Sequence, residues 1–198
     1  PSRPLDTARV PDGMRVYAIG DIHGRNDLLQ ALLAKIDADD QARGAADTQI
    51  VFLGDLVDRG SDSAGVIDTA MALRGQGRTV RYLMGNHEEV FLKVCRERDT
   101  KTLRFFLKIA GDATVQSYPI TRAEYIELDI EQLAERLATL VPEAHLAFLE
   151  SFEDMIVLGD YAFVHAGIRP GVPLSEQRKS DLRWIRDEFV GQRGDLEK

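Results

Sequence analysis

Five short apolar runs punctuate the chain: Val16 to Ile19, Ile50 to Leu53, Val80 to Met84, Met155 to Leu158 and Tyr161 to Val164. Each is rich in β-branched or aromatic residues and ends at a glycine or a polar turn, as buried strands do. Between the first three, the apolar positions switch to helical spacing, with Leu28, Leu29, Leu32, Leu33 and Ile36 in one segment and Val66, Ile67, Ala70 and Met71 in the next. Strand, helix, strand, helix, strand predicts an α/β fold with a parallel sheet built by right-handed crossovers. From Glu88 to Phe152 the spacing is helical throughout, with Val90, Phe91 and Val94, then Leu103 to Ile109, Leu133 to Leu140, and a helix opened by Pro142. This stretch reads as a helical insertion, at about 88–152, in a single domain spanning 1–198. Gly159-Asp160 joins the last two apolar runs and predicts an antiparallel hairpin. The tail from Gly191 to Lys198 is charged and glycine-rich and predicts no element.

Composition narrows the function. With 44% hydrophobic and 29% charged residues in a 198-residue chain, a full core is available without disulfides or structural metal, so a metal found here is a functional one. Lys and Arg total 25 against 33 Asp and Glu, and the resulting net charge of −8 excludes a general nucleic-acid binder. Cys95, the lone cysteine, can form no intrachain disulfide, and its apolar neighbours predict a buried helix thiol. No apolar run approaches the roughly 18 residues of a membrane span. The stretch from Pro1 to Met14 lacks the apolar core of a secretion signal, so no membrane association and a cytoplasmic location are expected. A start at Pro1 rather than methionine is expected of a processed or trimmed chain.

The chemistry gathers directly after the strands. Gly20-Asp21-Ile22-His23-Gly24 follows the first, Gly54-Asp55-Leu56-Val57-Asp58-Arg59-Gly60 the second, Gly85-Asn86-His87-Glu88 the third, and His165-Ala166-Gly167 the last. In a parallel sheet the carboxyl ends of the strands share one edge, so Asp, His, Asp, Asn and His are expected to meet in one crevice. Carboxylate and imidazole groups around two divalent ions suit in-line displacement at phosphorus. Other readings fail on spacing. The position four after His87 is Phe91, which breaks the zinc-protease pattern, and Gly75-Gln76-Gly77 lacks the third glycine of a dinucleotide fingerprint. Gly159-Asp160 is a hairpin turn, and His145, on the helix after Pro142, is expected at a helix surface or boundary rather than at a metal.

These four motifs, with His165-Ala166-Gly167-Ile168-Arg169-Pro170-Gly171 and Trp184-Ile185-Arg186, resemble the phosphoprotein phosphatase type of calcineurin-like metallophosphoesterase, especially the bacterial and phage-lambda-like serine/threonine phosphatases. The resemblance implies a four-layer α/β/β/α sandwich holding two divalent metal ions, commonly manganese, with iron or zinc as alternatives. By the same resemblance Asp21 and His23 hold the first ion, Asn86 and His165 the second, and Asp55 bridges them, with a hydroxide between the ions as nucleophile. His87 is then the general acid for the departing group, oriented by Asp58, while Arg59 binds phosphate. Arg186 aligns with a second phosphate-binding arginine, a surface helix arginine being the equal alternative.

Two departures from the family pattern stand out. Met84 occupies the position before Gly-Asn-His, where many protein phosphatases of the family place an arginine. No histidine follows His165, although the family has a later Gly-His motif whose histidine completes the second metal site. A chain lacking its C-terminal strands is the favoured explanation. The expected function is metal-dependent phosphomonoester hydrolysis by a serine/threonine protein phosphatase, acting on a phosphoprotein or a small phosphoester. The alternatives are symmetrical dinucleoside tetraphosphate hydrolysis, which Met84 leaves open and Asp58 and Glu88 oppose, and a non-catalytic metal-binding module.

Overall fold

A computed structural model describes residues 8–74, 76 and 78–191, so the Gly75-Gln76-Gly77 stretch and the charged tail lie largely outside it. Strands β1 (Met14–Ile19), β2 (Asp47–Phe52) and β3 (Thr79–Tyr82) form a parallel sheet in the order β1-β2-β3. Helices α1 (Asn26–Arg43) and α2 (Ser63–Leu73) connect them. Between β3 and the next strand run α3 (Asn86–Glu97), α4 (Thr100–Lys108), α5 (Asp112–Ser117), α6 (Arg122–Glu127), α7 (Ile130–Leu140) and α8 (Glu143–Glu150). Strands β4 (Ile156–Leu158) and β5 (Tyr161–Phe163) pair antiparallel across Gly159-Asp160, as that dipeptide predicts. A 3₁₀ turn at Leu174–Glu176 precedes α9 (Lys179–Trp184) and α10 (Asp187–Val190).

The central strand β2 is buried on both faces because it carries apolar residues at successive positions. Ile50 and Phe52 point to the helical side, where they join the main core with Leu29, Ile67, Tyr82 and Phe91. Val51 and Leu83 point the other way, against Ile156 and Leu158 of the hairpin. The result is a mixed α/β fold with helices, parallel sheet and hairpin in successive layers. The hairpin's outer face, Val157 and Ala162, is exposed, so among the described residues no fourth layer covers it.

Aromatic packing ties the helices between β3 and β4 to the sheet. Tyr82 stacks on Phe52 at 4.9 Å and on Phe152 at 5.1 Å, and its hydroxyl donates to the Ala70 carbonyl at 2.6 Å. Phe91 of α3 stacks on Phe106 of α4 at 5.6 Å. Helix starts are set locally: Asp62, Asp99 and Asp129 cap α2, α4 and α7 by accepting backbone N–H groups of their first turns.

Two expectations need correction. Only Leu29 and Ile36 of the apolar positions on α1 are buried, while Leu28 and Leu32 face outward, because the sheet covers a narrower stripe of the helix than its sequence offers. His145 is buried rather than at a surface, held by the Tyr118 hydroxyl at Nδ1 and Asp68 at Nε2, both at 3.0 Å. No helix among the described residues is long and apolar enough to cross a membrane.

Cys95 sits in the core on α3, and burial pushes its thiol up to about 12. At pH 8 only about one thiol in ten thousand is then the reactive thiolate. A disulfide reagent at pH 8 is therefore expected to label the folded chain only at its unfolding rate, and to label it rapidly in 6 M guanidinium (about 6 M being ample for a domain of this size). Fast stoichiometric labelling of the native chain contradicts the packing of α3.

Candidate active site

The loops that follow β1, β2, β3 and β5 converge as the sheet topology predicts. Backbone bonds weave the first two together: the amides of Ile22 and His23 both donate to the Asp55 carbonyl, at 3.0 and 2.9 Å, and Gly60 N donates to the His23 carbonyl at 3.0 Å. Such close approach needs glycine at two points. Gly54 has φ +98°, and a Cβ on it would lie 2.7 Å from Gly85 N; a Cβ on Gly85 would strike Asp55. His23, Asp55, Asp58 and Arg59 all adopt positive φ values of 45°, 53°, 71° and 66° without being glycine. A cluster of such residues persists only where surrounding bonds over-determine it.

Glu88 supplies that over-determination. Fully buried in the first turn of α3, its carboxylate accepts N–H bonds from Asp55 (2.8 Å), Leu56 (2.7 Å), Val57 (3.2 Å) and Gly85 (3.1 Å). Burial and the nearby Asp55 charge push its carboxyl upward, and the backbone donors oppose them. The sequence motif contains Glu88, yet its anchoring role was not legible there.

Asp55 lies at the centre of the site, nearly buried. Its Oδ1 is 3.5 Å from His165 Nε2, while its Oδ2 is 3.7 Å from His23 Nε2 and 3.9 Å from His87 Nε2. Two groups of potential metal donors share it, His23 with His87 and Asp21 with His165. Asp21 is half exposed at the mouth, and its Oδ2 is 3.7 Å from His23 Nε2. Asn86 Oδ1 is 3.0 Å from His165 Nε2. All five sequence-predicted metal residues are thus brought together, although Asp21 groups with His165 as well as with His23.

The donor set fits divalent cations. His23 Nδ1 donates to the Val57 carbonyl at 2.8 Å and His165 Nδ1 to the Leu53 carbonyl at 2.8 Å, which leaves each Nε2 as a lone pair aimed inward. Among the described residues His23 Nε2 is a buried polar atom without any hydrogen-bond partner, a costly state that a cation relieves.

His87 stands beside this cluster with a different partner. Its Nδ1 donates to Asp58 Oδ2 at 2.6 Å, and Arg59 Nη2 lies 3.4 Å from its Nε2. Burial pulls the imidazole pKa down, but the bond to Asp58 and the charges of Asp55, Asp58 and Glu88 outweigh it, so the net shift is upward. Asp58, wholly buried, is itself held by Thr114, whose hydroxyl donates to Oδ1 at 2.6 Å. The Asp58 amide donates to Thr114 Oγ1 at 2.8 Å and Ser63 Oγ at 3.1 Å. Thr114, on α5, escaped the sequence analysis because nothing at that position marks a residue that folds back over 56 positions. Arg59 is exposed at the mouth. Arg186 is exposed too, in a segment whose Ile185 and Phe189 pack beside Gly167, and among the described residues it bonds to none of the other site residues.

The family model for calcineurin-like phosphoesterases matches residues 14–194. The chain belongs to the calcineurin-like phosphoesterases. A symmetrical bis(5'-nucleosyl)-tetraphosphatase of Klebsiella pneumoniae is 34% identical over 123 residues, which are 60% of this chain and 40% of that protein. The enzyme of the same name from a Janthinobacterium species is 41% identical over 75 residues, 38% of this chain and 24% of that protein. The match therefore spans less than half the length of these curated relatives. A solved structure of a candidate diadenosine tetraphosphatase superposes with a TM-score of 0.60 at 21% identity, covering 90% of this chain and 61% of that one, and shows the shared phosphoesterase fold.

Two measurements test the site. Glu88→Ala strands four buried donors, and urea unfolding is expected to show a loss of about 3–5 kcal/mol. Manganese at about a hundredfold excess over its dissociation constant is expected to raise the melting temperature by about 5–10 °C, a response that Asp55→Asn removes. An equal manganese response in that variant places the ion elsewhere.

Proposed function

We propose that this phosphoesterase hydrolyses phosphoric anhydrides of the dinucleoside tetraphosphate class, symmetrically, to two nucleoside diphosphates. One observation supports the hydrolytic chemistry: Asp55 presents opposite oxygens to the Nε2 atoms of His165 and His23, which face the same space. Divalent ions held by Asp21, His23, Asp55, Asn86 and His165 would neutralise phosphoryl oxygens and acidify water there. Arg59, a planar fork at the mouth, binds the phosphate under attack, with Arg186 as a second such contact. His87, hydrogen-bonded to Asp58, faces the departing oxygen and gives a proton to a leaving group basic enough to need one as the bond to phosphorus breaks.

The substrate class rests on the names of the curated relatives and on Met84, buried where a protein phosphatase places a phosphate-binding arginine. This replaces the serine/threonine phosphatase of the initial expectation as the leading reading. A specific observation keeps phosphoprotein hydrolysis as the second: Asp58 and Glu88, which oppose the tetraphosphatase branch, are both built into the site by several hydrogen bonds. The substrates are proposed to be free phosphoesters or anhydrides, with no membrane or nucleic-acid partner and a cytoplasmic setting.

Leaving-group chemistry separates the two readings. A nucleoside diphosphate departs as a weak base, since a terminal phosphate has its second pKa near about 6, whereas a serine alkoxide needs a proton. His87→Asn is expected to lower turnover of an alkyl phosphate by roughly 10²–10⁴-fold and that of diadenosine tetraphosphate by much less, with metal content unchanged. Chromatography of diadenosine tetraphosphate incubated with the manganese-loaded chain should show ADP as the sole product. Release of phosphate from phosphopeptides with no ADP formed overturns the anhydride reading.

A further inference from the structure

We propose that a groove between α3, α4 and α9, lined by Phe105 and Trp184, is a nucleobase subsite that holds one nucleoside of the substrate. The proposal rests on the dinucleoside polyphosphate reading above and adds to it the residues that recognise the base. Phe105 and Trp184 are large aromatics left 43% and 37% exposed, with ring centroids 6.4 Å apart at 40°. They open onto a groove of about 550 Å³, within the range of small-ligand sites. A flat heterocycle stacked on one ring and meeting the other by its edge removes both from water, and stacking on aromatic side chains suits any base because every base has a π-face.

The platform is rigid before any ligand arrives. Trp184 Nε1 donates to Glu89 Oε2 at 2.5 Å, and the adjacent Arg183 donates to Glu89 Oε1 at 2.8 Å and to Asp154 Oδ1 from Nε, also at 2.8 Å. Glu89 lies in the first turn of α3, three residues after Asn86, so the groove opens about one helical turn from the metal residues.

The charges around the groove favour an anion attached to the base. Its two acids are already engaged, Glu89 with Arg183 and Trp184, and Asp99 with the Lys101 and Thr102 amides that begin α4. Lys93 has a 3.9 Å contact with Glu97 and an electrostatic interaction with Asp99, while Lys101 makes no ion pair among the described residues. Two ammonium groups beside an aromatic platform match a nucleoside phosphate: the base on Trp184 and Phe105, the phosphates directed along the lysines. A phosphotyrosyl peptide carries a ring and a phosphate as well, and it is the competing occupant that the titration below distinguishes.

Trp184 is the sole tryptophan of the chain, so its fluorescence reads the groove directly. ADP added in the presence of magnesium is expected to quench it saturably, while pyrophosphate and ribose 5-phosphate do not. Phe105→Ala is expected to weaken ADP binding about tenfold, and Lys101→Ala to weaken ADP but not adenosine. The wild-type titration needs no variant, so a folding defect cannot mask the result. Absence of quenching by ADP, equal quenching by pyrophosphate, or quenching by a phosphotyrosyl peptide alone overturns the subsite. Its failure is separable from that of the proposed function. Hydrolysis of diadenosine tetraphosphate without quenching by ADP refutes the subsite and leaves the reaction, whereas specific quenching without hydrolysis leaves the subsite and refutes the reaction.

Discussion

The carboxylate of Glu88 stitches the loop after β2 to the start of α3, and the geometry of the site depends on that attachment. Four backbone amides that would otherwise be buried without acceptors end on two oxygens. Those amides belong to the turn that presents Asp55 and to the cap that starts the helix of Asn86 and His87. The left-handed backbone at Asp55 and Asp58 is tolerable because the cost is spread over these bonds and over the backbone contacts to the first loop.

Three carboxylates are buried within this small region, and each is compensated by a different device. Glu88 is satisfied by backbone donors, and Asp58 by His87 and the Thr114 hydroxyl. Among the described residues the Asp55 carboxylate accepts one hydrogen bond, from the His87 amide at 3.2 Å, and its remaining capacity faces inward together with the His23 and His165 nitrogens. The same local pattern of residues thus yields a structural anchor, a proton-holding pair and a centre suited to cations. The difference lies in what each carboxylate meets, not in what each one is.

The helices between β3 and β4 serve this site from outside the sheet. Thr114 reaches from α5 to Asp58, and the Ala110 carbonyl accepts the Arg59 amide at 3.1 Å. They also supply Phe105, which with Trp184 of α9 makes an aromatic groove edged by two lysines and two carboxylates next to the first turn of α3.

Much of this was written in the chain. Alternating apolar runs and helical spacing specified β1 to β3, the hairpin and the parallel order, because strand and helix periods are local properties of sequence. The glycine-flanked Asp, His and Asn residues announced a shared crevice, since a parallel sheet aligns its strand ends whatever the intervening length. Long-range contact alone decided the rest. The anchoring by Glu88, the support of Asp58 by Thr114, the burial of His145 and the exposure of Leu28 depend on which surfaces meet after folding. A residue's own neighbours in sequence carry no record of partners 30 to 80 positions away.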